Sequence, residues 1–399
     1  MEEPFTYEEV ENVIKAMPPD KTPGPDGFTG RFYATCWNII RDDFMKAMNC
    51  FYNGDVRGMA AINKSLVTLL PKKDGALEVT DFRPINLVHG AIKIFEKVLA
   101  CRLVMQLPKL VGNHQSAFVK GRSLHDNFML VQCTARRLNA LRNPAVLLKL
   151  DISKAYDSVQ WPFLIEVMQH LGFGPRWRSW ICGILATSTT KVMVNGDPGD
   201  TIYNCKGLRQ GDPISPMLFI LTMEPLQRMF EQATRRGILE PLARAGVRQR
   251  LSIFADDVVV FIKPKPLELE ISKRIFEMFG EASGLRINMA KSAVLPIRCN
   301  DQEITFASTE LGCPRGSFPI KYLGLPLSLR KQSPAQLQYL VDQMANCLPR
   351  WKAALMPKSG RLTLVQSVLC AMPIHAMMAL DLPMKTIAVM NKVCRGFLW

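Results

Sequence analysis

The chain has 399 residues, a length that points to two or three packing units rather than one. Hydrophobic residues make up 48% and charged residues 21%, which excludes a disordered chain and supports a sizeable buried core. Lysine and arginine number 50 against 35 acidic residues, and the net charge of +15 favours a polyanionic partner while saying nothing about fold. The 11 cysteines are scattered singly without any C-x-x-C pair. That excludes zinc ribbons and thioredoxin-type pairs, and it predicts buried free thiols in a reducing compartment with no disulfide-linked partner. The acidic start MEEPFTYEEVE lacks an apolar run, so the protein is expected to be intracellular, in nucleus or cytoplasm, and not secreted.

In chain order, Thr6-Tyr7-Glu8-Glu9 is a capping-box pattern opening a short helix that Pro18-Pro19 closes. PPDKTPGPDGFTG carries turn residues at loop density, and Phe32 to Tyr52 is helical by period. LVTLLPKKDG and DFRPINL predict two strands around a Lys-Lys-Asp-Gly tip. Gly90 to Leu107 and most of Ala117 to Leu141 read as helix. AVLLKLD (145–151) is a strand ending in a carboxylate, with a helix beginning near Ser153. Short strand-like pieces surround Lys191 to Val194 and Asn195-Gly196. Gly211-Asp212-Pro213 predicts an N-cap and a first-turn proline for a long apolar helix. LSIFADDVVVFIK (251–263) predicts two apolar half-strands with an Asp-Asp pair at the bend. Strands and helices interleave to about Leu327, and 328–399 is nearly all helical, so the expected class is an α+β catalytic core with a helical appendage. Within that tail, Leu362 to Leu380 runs 19 residues without a charge. Thr363, Gln366, Ser367, Pro373 and His375 make it a buried helix rather than a membrane span, so no membrane partner is expected.

The pair Asp256-Asp257 carries the most chemical information. Unit charges about 4 Å apart repel by roughly 4 kcal/mol at an effective dielectric of 20, so adjacent carboxylates are held most easily around a cation. Oxygen donors without His or Cys select Mg²⁺, with Mn²⁺ as its substitute. An ordinary solvated Asp-Asp turn is the plain alternative. Asp151 ends a second apolar strand, and if that strand lies beside the hairpin, three carboxylates suffice for two divalent ions.

Eight segments in order resemble a reverse transcriptase of the non-LTR (LINE-type) retrotransposon family in its plant-like form. They are PGPDGFTGRFY, LVTLLPKKDG with DFRPINL, HQSAFVKGRSLHDN, LKLDISKAYDSV, GLRQGDPISP, FADD, GLRINMAKS and YLGLP. The resemblance runs from about Pro4 to the last residue. It implies a right-hand polymerase with fingers, a palm built on an antiparallel sheet, and a helical thumb. Residues 1–53 would extend the fingers, 54–327 would form fingers and palm, and 328–399 a truncated thumb-like region. Under it Asp151, Asp256 and Asp257 are the catalytic and metal-binding residues, with two Mg²⁺ as cofactors and RNA template, DNA primer and dNTPs as partners. The aromatic steric gate falls on Tyr156, whose ring under the sugar would exclude a 2′-OH. Gln210 would lie against template base and nucleotide, while Lys72 and Arg83 would neutralise the triphosphate. Lys291 takes the position of a possible general acid for the leaving pyrophosphate.

Arg235, Arg236, Arg244, Arg248 and Arg250 follow the long apolar helix, a density that suits phosphate contacts or a solvated basic loop. Trp351, Lys352, Lys358 and Arg361 are candidate grips on primer–template in the tail. The family normally carries an N-terminal endonuclease and often a C-terminal zinc segment. Neither is present in these residues, so a shortened element is expected. The competing function is a catalytically inactive or domesticated RNA-binding, maturase-like module. An RNA-directed RNA polymerase is disfavoured by Tyr156 and by Ala255 before the carboxylate pair.

Overall fold

The computed structural model describes residues 1–243, 247, 249–348 and 355–399; Arg244, Arg248, Trp351 and Lys352 lie outside them. Its strands are β1 (Lys64–Pro71), β2 (Phe82–Val88), β3 (Ala145–Leu150), β4 (Thr189–Val194), β5 (Asp197–Pro198), β6 (Ile202–Tyr203), β7 (Leu251–Phe254), β8 (Asp257–Ile262), β9 (Ala293–Ile297), β10 (Ile320–Tyr322) and β11 (Leu325–Leu327). Helices surround these sheets, so the class is α+β. The chain divides into two compact units. The first comprises Met1–Arg122, Leu150–Leu239 and Glu270–Met289, and the second Ser123–Lys149, Glu240–Leu269 and Ala290–Trp399.

In the first unit β1 pairs antiparallel with β2 and parallel with β4, while β5 and β6 both pair with β4. The predicted strands around the Lys-Lys-Asp-Gly tip are therefore present, with Leu70 opposite Arg83. The helix Tyr7–Lys15 forms because Thr6 accepts the Glu9 amide at 3.2 Å and because Val10, Val13 and Ile14 share one buried stripe. The side chain of Glu9 does not close the capping box. It takes Arg102 in a two-pronged pair, 2.7 Å from each of Nε and Nη2, while Arg102 Nη1 donates to the Met1 and Glu3 carbonyls. The helices Gly30–Tyr52, Gly90–Val104 and Pro175–Ala186 then meet through rings. Trp180 stacks on Phe51 at 5.9 Å and tilts against Phe5 at 5.2 Å, and Phe51 meets Phe95 at 5.5 Å. Aromatic contacts of this kind add to the burial of the rings themselves.

The second unit is built on a sheet in the order β7-β8-β3-β9, with β7–β8 and β3–β9 antiparallel. Alternate residues Ala145 and Leu147, Val259 and Phe261, and Leu295 and Ile297 join one core with Phe128, Val131 and Leu138 of the helix Leu124–Ala140. Tyr322, Leu325 and Leu327 of the β10–β11 hairpin complete it, together with Leu340, Val341, Leu369 and Phe397 of the C-terminal segment.

The stretch Ala117 to Leu141 is mostly helix, as expected; the helix starts at Leu124, where Ser123 caps it by accepting the Asp126 amide at 3.1 Å, and the residues before it form a loop. That preceding loop is tied by Arg122, whose guanidinium donates to the Val111, Gly112 and Gln115 carbonyls. Two expectations need correction, on the thiols and on the uncharged stretch. The thiols are mostly not buried: among the described residues seven of the 11 cysteines are exposed and Cys313 alone is buried, its thiol pushed up to about 11 by desolvation. The uncharged stretch Leu362 to Leu380 is not one helix, since it passes from the α-helical turns of Lys358–Leu364 through the π-helical Val365–Leu369 to the short helix Ile374–Met377. Among the described residues no helix is long and apolar enough to cross a membrane.

Trp180 is 1% exposed at the centre of the first unit's ring cluster. Trp180→Ala is expected to cost about 3–5 kcal/mol in urea unfolding, from lost transfer energy plus a cavity. A loss below about 1 kcal/mol would contradict the packing described, since that is less than the transfer term by itself.

Candidate active site

The second unit holds the β7–β8 hairpin. Phe254 pairs with Asp257, so the tip is the two residues Ala255 and Asp256. Ala255 adopts φ +55, the left-handed region, a conformation that costs an L-residue roughly 1–2 kcal/mol. Asp256 is exposed and Asp257 half-buried, whereas Val258, Val259 and Val260 behind them are fully buried. The strand below the tip is fixed by Asn127 of the helix Leu124–Ala140. Its amide donates to the Ile253 carbonyl at 2.8 Å, and its oxygen accepts from Ser252 at 3.0 Å and from Tyr322 at 2.7 Å. Burial, with the negative charge of Asp257, pushes the Tyr322 hydroxyl far above its ordinary range, so it stays a proton donor to Asn127. Asn127 and Tyr322 were given no role by sequence reasoning. Both lie in quoted motif segments, LHDN and YLGLP, and that position is the signal that marks them. The next sheet neighbour of β8 is β3, and Asp151 is the residue that follows β3.

The first unit carries the other predicted residues. The Asp151 carbonyl accepts the Asn288 amide at 2.8 Å, Ser153 donates to the Arg286 carbonyl, and Ile152 bridges Ile287, so backbone pairing fixes this turn. Tyr156 follows on the short helix Ala155–Ser158, half-buried, its ring stacked on Phe219 at 4.7 Å and 15°. Its carbonyl accepts the Leu208 amide at 2.7 Å, which ties the Tyr156 turn to the loop carrying Gln210. On the opposite side the Gln210 carbonyl accepts the Asn86 amide of β2 at 3.1 Å. Gly211 has φ +123, and a Cβ there would stand 2.9 Å from the Asn86 carbonyl, so this close approach requires glycine. Beside the loop opens a cavity of about 680 Å³ lined by Asn86, Lys154, Thr190, Asn204, Lys206 and Arg209, among others.

The family described as Reverse transcriptase (RNA-dependent DNA polymerase) matches residues 70–327. The chain belongs to the reverse transcriptase family. It is similar to the Transposon TX1 uncharacterized 149 kDa protein of Xenopus laevis, at 27% identity over 405 residues, covering 100% of this chain and 30% of that protein. It is also similar to the Pol polyprotein of a type-1 retrotransposable element R2 of Nasonia vitripennis, at 27% identity over 61% of this chain and 22% of that one. The RNA-directed DNA polymerase from mobile element jockey of Drosophila melanogaster matches at 24% identity over 81% of this chain and 35% of its own length. The chain thus spans about a third or less of these relatives. Among solved structures, telomerase from Candida albicans with a fragment of telomeric RNA aligns over 93% of this chain and 63% of that one, at 12% identity and a TM-score of 0.48. The retrotransposon resemblance carried by the ordered motifs therefore stands.

Other predicted residues of this reverse transcriptase take varied positions. Lys72 is exposed, and its ammonium donates to the Thr80 carbonyl at 2.8 Å, while Lys73 pairs with Asp81 at 2.9 Å. Arg83 and Lys291 are exposed. Asp212 does not cap the following helix, contrary to the sequence expectation. That helix begins at Ser215 after an uncapped Ile214, its first-turn proline is Pro216 rather than Pro213, and Asp212 is buried against Arg209 at 2.7 Å. Arg250 is not on a basic surface either. It is 5% exposed, ion-paired with Glu268 at 3.2 Å and bonded to the Glu240 and Phe261 carbonyls. Arg235 pairs with Glu231 at 2.6 Å. Lys358 sits over the Trp399 ring at 5.4 Å, and Arg361 donates to the Met356 carbonyl at 3.2 Å.

Asn127→Ala is expected to lower unfolding stability by about 2–4 kcal/mol, because it strands buried groups on β7 and on Tyr322. Asn127→Asp, which sets a buried carboxylate against the Ile253 carbonyl, should be no more stable than Asn127→Ala. A neutral Asn127→Ala in chemical denaturation would contradict this account of how the hairpin is held.

Proposed function

We propose that this reverse transcriptase chain is an RNA-directed DNA polymerase of a LINE-type retroelement, adding dNTPs to a DNA primer on an RNA template inside the cell, in nucleus or cytoplasm. What supports the reading is the match of residues 70–327 to the reverse transcriptase family, together with the carboxylate pair Asp256–Asp257 at the β7–β8 hairpin. In this reading residues 1–53 extend the fingers, 54–327 form fingers and palm, and 328–399 serve as the thumb-like part. The surplus of 50 cationic over 35 acidic residues suits phosphate-dominated binding of template and primer.

The donor set fits divalent cations: the hairpin tip offers two successive carboxylates with no His or Cys beside them in sequence. Among the described residues no group of three His, Cys, Asp or Glu side chains is set around a common ion position. Asp151, Asp256 and Asp257 would hold the ions, Mg²⁺ by donor chemistry with Mn²⁺ able to replace it. Bound there, the ions would supply activation of the primer 3′-OH and charge stabilisation of the leaving pyrophosphate. The residues do the rest. Tyr156, braced by Phe219, excludes a ribose 2′-OH. Gln210, fixed between the Tyr156 turn and Asn86, faces the templating base and incoming nucleotide. Lys72 and Arg83 offset triphosphate charge, and Lys291 delivers a proton to pyrophosphate.

Primer extension on an RNA template tests the reading. Asp256→Asn is expected to lower dNTP incorporation on the order of 1,000-fold, the equivalent of several kcal/mol of transition-state stabilisation. Incorporation that survives that change sinks the mechanism. Salt-sensitive RNA binding without any incorporation by the wild type supports the RNA-binding remnant instead. Tyr156→Ala should admit rNTPs, and a wild type already indifferent to the sugar would remove the gate assignment.

A further inference from the structure

Behind the Gln210 loop, in the first unit, lies a buried polar cluster of Arg209, Asp212, Glu96 and Asn63. The Arg209 guanidinium donates from Nε to Asp212 Oδ2 at 2.7 Å, and from Nη2 to Asn63 Oδ1 at 2.6 Å and Glu96 Oε1 at 3.3 Å. Asn63 is itself anchored, its amide donating to the Ile184 carbonyl at 2.6 Å and to Thr187 Oγ1 at 2.8 Å. The Glu96 side chain is 0% exposed and that of Asp212 6%. Each carboxyl uses one oxygen on Arg209. The remaining oxygens, Glu96 Oε2 and Asp212 Oδ1, are buried and meet no donor among the described residues.

Two faults coincide here. One guanidinium hydrogen-bonds both buried carboxyls, with Lys93 the further cation acting on them, and two carboxylates sharing one bonded counter-charge in a dry site are costly to hold. Two acceptors without a donor add a desolvation penalty each. A single proton between Glu96 and Asp212, whose carboxyls lie in hydrogen-bond reach of one another, removes the first fault. The three groups Arg209, Glu96 and Asp212 then carry one positive and one negative charge.

We propose that Glu96 is a positioning residue: sharing one proton with Asp212, it clamps Arg209 and so fixes the 208–212 loop that presents Gln210. The proposal rests on the polymerase reading. Desolvation, and then the Asp212 charge, push the Glu96 carboxyl well above its ordinary range, with Arg209 opposing. Burial raises Asp212 too, against the pull of Arg209 and of Lys93. Lys93, whose ammonium burial pushes down, is the other charged group facing the pair. The clamp acts from one side of the loop while Asn86 holds the Gln210 carbonyl from the other, so Gln210 is gripped by its neighbours rather than by its own side chain.

The sign of the pH effect follows. Glu96 keeps a proton in the folded state that the unfolded chain releases above the ordinary carboxylate range. Its stabilising contribution is therefore complete at low pH and is lost as pH rises towards the raised folded value. Glu96→Gln is neutral at every pH, gives Asp212 a donor and Arg209 an acceptor, and has no proton to lose.

The test uses the full chain, with thermal midpoints measured from about pH 6 to about pH 9 and dNTP kinetics alongside, a window above the ordinary carboxylate range in which the unfolded chain has already released the Glu96 proton. The midpoint of the wild type should fall with pH relative to Glu96→Gln, and Glu96→Ala should raise the dNTP KM about tenfold with a smaller change in kcat. Glu96→Gln should bring KM back to within about threefold of wild type, because its amide restores the lost hydrogen bonds. Parallel midpoint curves for wild type and Glu96→Gln overturn the shared proton. An unchanged KM in Glu96→Ala, or a Glu96→Gln no better than Glu96→Ala, overturns the positioning role. A wild type with the expected pH dependence but no incorporation overturns the polymerase reading and the positioning role together, and leaves the shared proton standing.

Discussion

The β7–β8 hairpin sets carboxylates on successive residues, Asp256 exposed at its tip and Asp257 half-buried at the start of β8, and like charges on neighbouring residues repel. Ala255, just before the pair, holds a left-handed backbone that adds cost. Stabilisation comes from below, where three fully buried valines anchor β8 and Asn127 ties β7 to Tyr322. In the proposed reading the pair serves a divalent cation, which suits hard oxygen donors.

Charge also organises the Gln210 loop, in a different setting. There two carboxyls are sealed inside around one guanidinium, and the proposed shared proton lowers their charge. Arg209 then serves as a hub: one planar fork reaches a loop residue, a residue of the helix Gly90–Val104 and the chain just before β1. Lysine, a point charge on a flexible stem, would not fix three partners in one plane. Tyr156 shares this rigid setting because its carbonyl holds Leu208, one residue before Arg209.

Sequence reasoning read the local elements well where one signal dominated. Apolar runs bounded by turns located β1, β2, β3, β7 and β8, and the carboxylate pair fell at the hairpin bend, Asp256 in the tip and Asp257 opening β8. It failed where a residue had two possible partners. Asp212 has the look of an N-cap, yet a buried guanidinium three residues earlier competes for its carboxylate and wins, since a charged hydrogen bond in a dry site outweighs a cap in a wet one. Glu9 leaves its capping box for Arg102 for the same reason. Arg250 counted as surface charge by proximity to other arginines, but Glu268 lies 18 positions away along the chain and no local pattern reveals it. Asn127 and Glu96 escaped notice because their partners are distant in sequence, and a lone polar residue in a helix carries no mark of what it will meet.

The proposed role of the hairpin carboxylates is to hold a divalent cation, and metal-dependent stability reads this directly. Thermal unfolding of the wild type and of the double variant Asp256→Asn with Asp257→Asn should be compared in EDTA and in millimolar Mg²⁺ or Mn²⁺. In EDTA the double variant should be the more stable, its repulsion gone. Divalent ions should raise the wild-type midpoint and not the variant's, since a ligand that binds the folded state alone stabilises it by about 2.7 kcal/mol at a hundred times its dissociation constant. Equal responses of the two proteins to metal would contradict the account.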